Sequence, residues 1–182
     1  MKLATWNVNS IKARLETVVA WFKEAVPDVA VLQEIKCVDE AFPATAFEEL
    51  GYNCAVHGQK TYNGVAILSK SPLEDVTPRL PGGDSDDHAR YLEAIVPGEK
   101  GVVRVASIYA PNGNPIGTEK FTYKLGWLER LHARAKDLLK LEEPVALMGD
   151  YNVIPMPDDV YDAKAWVNDA LFQPESRAAL RR

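Results

Sequence analysis

The sequence predicts an α/β fold, a layered α/β-sandwich in which mixed, mostly antiparallel sheets are covered by helices. Two observations predict it. Apolar runs of strand length alternate with helical patterns near both ends of the chain, and four apolar runs in the middle follow one another without a helix-length insert. Strands joined directly are usually antiparallel, whereas strands separated by helices are often parallel. The 182 residues suit one domain, which we place at residues 1–182.

The N-terminal third shows strand and helix patterns in turn. Ser10 is a good N-cap, apolar residues recur at helical spacing after it, and Pro27 ends the run. The predicted elements are a strand at 2–8, a helix from Ser10 to Pro27, a buried strand at 28–33 and a short helix at 43–50.

The remainder of the chain continues the layered pattern. A Pro-, Gly- and Asp-rich loop occupies residues 78–88, and the chain turns irregular beyond residue 155. The predicted elements are strands at 52–57, 64–69, 91–96, 102–109 and 144–148, a long helix at 118–140 and a short helix from Glu175.

Composition and charge narrow the class of protein. Hydrophobic residues make up 47% and charged residues 26%, as in ordinary globular domains. A net charge of −5 argues against a general nucleic-acid coat protein but does not exclude an enzyme that gathers a few cations around an acidic metal site. We expect no membrane segment, because no apolar run approaches about 18 residues. Cys37 and Cys54 give no metal-ligand spacing and no disulfide framework, which favours a cytoplasmic location.

Four polar clusters follow predicted strands, at the end where open α/β sheets place ligands. They contain Asn7, Glu34, the stretch 109–113, and the pair Asp150 and Asn152. The carboxylate and amide oxygens of Asn7, Glu34, Asp150 and Asn152 are hard ligands, so they predict Mg²⁺ or Mn²⁺ and not zinc.

Each cluster also has a simpler explanation. An Asn after a strand is often a turn residue, Gly-Asp-Tyr-Asn can be a plain turn, and Tyr109 can be a strand-end tyrosine. The functional interpretation depends on all four clusters lying at the same end of different strands.

Five stretches, taken in order, resemble the exonuclease III-like AP endonucleases of the endonuclease/exonuclease/phosphatase superfamily. The resemblance extends from residue 1 to about residue 155 and continues more weakly to the end. The stretches are Trp6–Ile11 with Arg14, Leu32–Glu34 with Lys36, Asn63–Ser69, Tyr109–Gly113 and Gly149–Asn152.

The resemblance implies divalent-metal-dependent hydrolysis of phosphodiesters in duplex DNA, at abasic sites and 3′ ends, in base-excision repair. It implies that Glu34 binds the metal with Asn7 close by, and that Asp150 activates the attacking water or protonates the leaving group. Asn152 would hold the phosphate or its developing charge, and Tyr109 would place a phenol near the scissile phosphate. Phosphoryl transfer needs such alignment and charge stabilisation.

The resemblance also implies contacts with DNA or its phosphate. Arg90 matches an arginine near the phosphate, and Asn112 lies in the Pro-Asn-Gly loop. Lys120 and Lys124 follow that loop on a helix and are expected at the DNA backbone, although a solvated helix face explains them equally well.

One part of the family pattern is missing. Family members end with a Ser-Asp-His segment that orients or deprotonates the nucleophilic water, and none follows Asn152. Residues 85–88, Ser-Asp-Asp-His, come too early, and we interpret them as a loop. We therefore expect a C-terminally incomplete nuclease-like domain with impaired catalysis.

An incomplete sandwich is expected to expose sheet surface and to self-associate through it. Two other functions stay open. One is a non-catalytic remnant that binds DNA or a partner, and the other is a superfamily phosphatase acting on inositol or lipid phosphates.

Overall fold

The computed structural model describes residues 1–99 and 101–182, which form two four-stranded sheets with helices. The strands are β1 (Leu3–Asn7), β2 (Val29–Gln33), β3 (Asn53–His57), β4 (Val65–Ser69), β5 (Glu74–Pro78), β6 (Tyr91–Gly98), β7 (Gly101–Tyr109) and β8 (Val145–Asp150). The α-helices are α1 (Leu15–Ala25), α2 (Ala44–Glu48), α3 (Glu119–Leu139) and α4 (Pro174–Leu180). Short 3₁₀ helices lie at Asp39–Ala41, Pro157–Asp159, Ala163–Trp166 and Ala170–Phe172.

Both sheets are mixed and mostly antiparallel, so the predicted fold class is confirmed. The first sheet has the order β1-β2-β4-β3, with β1 and β2 parallel and the other pairs antiparallel. The second has the order β5-β6-β7-β8, with only β7 and β8 parallel. Each sheet therefore contains one parallel pair, whose carboxyl ends meet at the same edge.

Apolar side chains on both faces of the first sheet form the core. On one face, β2 and β4 contribute Val31 and Ile67 to a cluster that also contains Leu92 and Val105 of the second sheet. On the other face, α1 contributes Phe22 to a separate cluster with α2. Because both faces are covered, every residue of β2 and β4 is buried.

The structure corrects two sequence predictions. Helix α1 begins at Leu15, not after Ser10, because Ser10 has a φ of +84° and its side chain accepts the amide of Ala13 in a turn. Strand β5 was not predicted. It is an edge strand whose residues are largely exposed, so it lacks the apolar alternation that marks a half-buried strand.

The described residues divide into two compact units. The first unit contains residues 1–109 and 138–150, and the second contains residues 110–137 and 151–182. In the second unit, the amide of Ile154 donates to Leu171 O, and the amide of Ala170 donates to Asn114 Oδ1. The placement of one domain at residues 1–182 stays a prediction.

None of the helices in the described part of the chain is both long and apolar enough to cross a membrane.

Two glycines provide a matched test of the packing. Gly149 in β8 has a φ of +151°, and a Cβ there would lie 1.9 Å from Ile108 O of β7. Gly126 in α3 has no atom within 4 Å of a Cβ position.

We expect Gly149→Ala to lower the free energy of unfolding by at least about 2 kcal/mol, because strand β8 must move away from β7. Gly126→Ala should raise it by about 0.5–1 kcal/mol, because alanine favours the helix. Urea denaturation measures both, and equal effects of the two substitutions would contradict this packing.

Candidate active site

One side-chain amide joins the ends of strands from both sheets. Asn7 is the last residue of β1, Glu34 follows β2 directly, and Asp150 is the last residue of β8. Asn7 Nδ2 donates to Glu34 Oε1 at 2.8 Å and to Asp150 Oδ2 at 2.9 Å. The parallel pairings of β1 with β2 and of β7 with β8 bring these strand ends together. Three of the four residues predicted as metal ligands therefore converge.

The orientation of the Asn7 amide is fixed from its other end. Its Oδ1 accepts the backbone amide of Asn9 at 3.1 Å, so the NH₂ group faces the carboxylates. Asn7 thus donates to the carboxylates in this structure and holds Glu34 and Asp150 on either side of one nitrogen.

Glu34 combines a strained backbone with an ionised side chain. Its φ is +52°, a left-handed conformation that non-glycine residues seldom adopt. Burial raises the pKa of its carboxyl, but hydrogen bonds from Asn7, Lys36 and Tyr109 outweigh burial and leave the pKa below its usual value. Lys36 Nζ lies 3.1 Å from Glu34 Oε2. The carboxylate is therefore charged at neutral pH and can bind a cation.

Tyr109 ends β7 and directs its hydroxyl at Glu34. Burial and the negative charges of Glu34 and Asp150 raise the pKa of the phenol to about 12, although Arg90 acts in the opposite direction. This raised pKa favours the protonated phenol, whose hydroxyl donates a hydrogen bond to Glu34.

Arg90 lies over the ring of Tyr109. The Cζ atom of its guanidinium is 4.8 Å from the ring centroid, and Arg90 Nη1 donates to Tyr109 O at 3.3 Å. The backbone amide of Tyr109 in turn donates to Arg90 O at 2.8 Å. The guanidinium of Arg90 thus stacks on the ring of Tyr109 and places its positive charge over that ring.

A buried polar bridge lies beneath these strand ends. Gln33 Nε2 donates to Ser107 Oγ at 3.2 Å, and Ser107 Oγ donates to Leu32 O at 2.9 Å. Gln33 belongs to the first sheet and Ser107 to the second, so the bridge ties together the strands that carry Glu34 and Tyr109. Ser107 was not among the predicted site residues. Its one signal is a serine within the apolar run of β7.

The remaining predicted site residues lie in the second unit. Asn152 has a φ of +49°, and its Nδ2 donates to Ala110 O at 2.8 Å. Asn112 is exposed, and its Oδ1 accepts the amide of Asn114 at 2.9 Å. Lys120 is exposed in the first turn of α3, where a contact with DNA stays a prediction.

The structure corrects the prediction for Lys124. This side chain is fully buried, and its Nζ donates to Asn112 O at 3.1 Å and also to Asn152 O. Lys124 lies three, four and seven residues before the buried Trp127, Leu128 and Leu131, so the helical period places it on the inward face of α3. It therefore cannot contact a DNA backbone as predicted.

The site suits a hard divalent cation. Glu34 and Asp150 offer carboxylate oxygens, and Mg²⁺ is often bound by one or two carboxylates with water and substrate phosphate. In the part of the chain that the structure describes, no group of three or more His, Cys, Asp and Glu side chains is placed to hold a metal ion.

A sequence profile described as the endonuclease/exonuclease/phosphatase family matches residues 4–178. The chain belongs to this family. Exodeoxyribonuclease III of Haemophilus influenzae is a similar member, 34% identical over 193 residues that cover 100% of this chain and 71% of that protein. The resemblance found in the sequence is thereby confirmed.

Solved structures of family members have the same fold. An AP endonuclease from Archaeoglobus fulgidus superposes with a TM-score of 0.92 at 37% identity, over 100% of this chain and 68% of that one. A 3′ phosphatase from Neisseria, bound to product DNA hairpin, superposes with a TM-score of 0.91 at 37% identity, over 100% and 69%. The predicted endonuclease/exonuclease/phosphatase-like sandwich is confirmed.

The lowered pKa of Glu34 makes a prediction for stability against pH. An acid whose pKa is lower in the folded state stabilises the protein above its unfolded pKa, and this stabilisation is lost as pH falls through the folded pKa. We expect Glu34→Gln to remove this stabilisation. The free energy of unfolding of wild type should therefore exceed that of the variant by the largest amount at neutral pH and by the smallest amount near pH 3. Urea denaturation from pH 7 to pH 3 measures it. Glu16→Gln, on an exposed position of α1, is the control. A stability difference that stays constant over this range would contradict the assigned network.

Proposed function

We propose that this chain is a divalent-metal-dependent phosphodiesterase that cleaves duplex DNA at abasic sites and at 3′ ends, as an exodeoxyribonuclease III-type enzyme. The observation that carries the proposal is the convergence of Glu34 and Asp150 on the Asn7 amide, beside the hydroxyl of Tyr109. The names of similar proteins, an exodeoxyribonuclease III, an AP endonuclease and a DNA-bound 3′ phosphatase, favour DNA as the substrate.

The proposed metal site uses the predicted oxygen ligands. Glu34 and Asp150 would hold Mg²⁺ or Mn²⁺, and Asn152 is a further predicted ligand. Asn7 was also predicted as a ligand, but its NH₂ group faces the carboxylates, so it would position them instead of binding the ion. When bound, such an ion supplies charge neutralisation at the phosphate oxygens. Asn7 contributes by holding both carboxylates at one nitrogen, which limits the reorganisation needed on binding.

The other side chains bind and orient the phosphate and move the proton. The Tyr109 hydroxyl donates a hydrogen bond to Glu34 and could donate it to a phosphate oxygen of the substrate instead. Arg90, stacked on that ring, adds positive charge for the phosphate. Asp150 is the candidate for orienting the attacking water or protonating the leaving oxygen, and Asn152 for holding the developing charge. These are the alignment and charge-stabilising tasks that phosphoryl transfer requires.

We test the nuclease proposal with a duplex oligonucleotide that carries one abasic site. Wild type should nick it with Mg²⁺ or Mn²⁺ and not in EDTA, and Glu34→Gln should abolish nicking because the charged ligand is lost. Tyr109→Phe keeps the ring beneath Arg90 and removes only the hydroxyl, so we expect a loss in kcat of about 10²-fold. Gel electrophoresis of the labelled strand measures both, and Glu16→Gln should cleave like wild type.

Other outcomes would favour the alternatives. Nicking that survives both EDTA and Glu34→Gln would reject the metal site. Release of phosphate from small inositol phosphates without DNA cleavage would favour a phosphatase. A gel shift of the duplex without cleavage, weakening steeply with salt, would favour a non-catalytic DNA-binding protein.

We also propose that the chain self-associates through the edges at β1 and β8. Among the described residues, β1 pairs only with β2 and β8 only with β7, and the two edge strands contact each other. Every residue of β8 is half-buried, including Ala146, Leu147 and Met148, whereas the polar and largely exposed β5 is a protected edge. A second copy of the chain carries the same two edge strands.

Self-association should appear as a mass that rises with protein concentration. Sedimentation equilibrium at protein concentrations from about 1 to about 100 micromolar measures the average mass. This mass should rise because more chains pair through their edge strands as the protein concentration increases. A monomeric mass across the whole range would contradict the proposal.

A further inference from the structure

A buried lysine lies in the second unit. Lys124 is fully buried on α3, yet it carries an ammonium group that must be hydrogen-bonded when it is removed from water. Its Nζ donates to the backbone oxygens of Asn112 and Asn152. These carbonyls belong to the loop after β7 and the loop after β8, so one ammonium joins two loops that are far apart in the sequence.

The surroundings of Lys124 are shaped to admit its side chain. Gly113 has a φ of +82°, and a Cβ on it would lie 2.6 Å from Lys124 Cδ and 3.1 Å from Lys124 Cβ. The loop after β7 therefore needs a glycine at the point where the lysine stem passes. The left-handed backbone of Asn152 is held on two sides, since its carbonyl accepts from Lys124 and its side chain donates to Ala110 O.

We propose that Lys124 is a positioning residue that sets the side chains of Asn112 and Asn152 for the phosphate without touching the DNA. The role in catalysis rests on the proposed nuclease function. The structural half of the proposal is that Lys124 fixes the loops after β7 and β8. It rests only on the contacts of the described residues. Removing the ammonium takes one hydrogen bond from each carbonyl and should let Asn152 leave its left-handed conformation.

Kinetics of Lys124→Met separate positioning from DNA contact. On the abasic duplex with Mg²⁺, we expect kcat to fall roughly tenfold to hundredfold while KM stays unchanged, because misplaced groups cost turnover rather than binding. The slope of log Kd against log salt concentration, measured in EDTA, should equal that of wild type. A lost phosphate contact would instead reduce that slope by about 0.9.

Two further variants complete the kinetic test. Lys124→Arg keeps a donor on the stem and should recover part of kcat. Lys136→Met, at an exposed position in the last turn of α3, should behave like wild type. A reduced salt slope with raised KM in Lys124→Met would overturn the proposal.

Amide hydrogen exchange tests the structural half without any activity. In Lys124→Met we expect the Ile154 amide to exchange at least about tenfold faster and the side-chain amide resonance of Asn152 to shift, with exchange in α1 unchanged. Gly113→Ala, which obstructs the lysine stem from the loop side, should give the same pattern, and Lys136→Met should not. Unchanged exchange and resonance in Lys124→Met would overturn the proposal, even if wild type cleaves DNA. If wild type fails to cleave, the nuclease function is rejected while the exchange data still decide whether Lys124 fixes the loops.

Discussion

The candidate active site depends on one side-chain amide that separates two carboxylates. Without a donor between them, the negative charges of Glu34 and Asp150 would repel each other at the edge where the two sheets meet. Asn7 donates one hydrogen to each, and its oxygen is held by the backbone of its own loop. The amide thus lets two strand ends of like charge approach closely before any cation is present.

The geometry around that amide is maintained by rigid elements. Asn7 and Asp150 are the last residues of β1 and β8, Glu34 directly follows β2, and each strand ends in register with a parallel neighbour. The buried pair Gln33 and Ser107 then links the two sheets just beneath the site. Because this polar bridge is fully buried, a shift of one sheet against the other would leave its groups unsatisfied. The sheets therefore act as a frame that fixes where the site's oxygens lie.

Much of this arrangement could be predicted from the sequence, because strand ends and apolar periodicity are local signals. The convergence of Asn7, Glu34 and Asp150 followed from their position after strands. The burial of Lys124 could not be predicted, since a lysine on an amphipathic helix ordinarily faces water and only the packed structure shows its carbonyl partners. The late start of α1 depends on the positive φ of Ser10, which composition does not indicate.

The left-handed backbone at Glu34 has a consequence for how this chain can vary. A glycine at this position would adopt the same φ without steric cost, yet it would remove the carboxylate on which the site is built. Stability of the fold alone therefore favours glycine at position 34, whereas the chemistry of the site requires glutamate there. Position 34 is a point at which the chain gives up folding free energy to keep a charged oxygen beside the Asn7 amide.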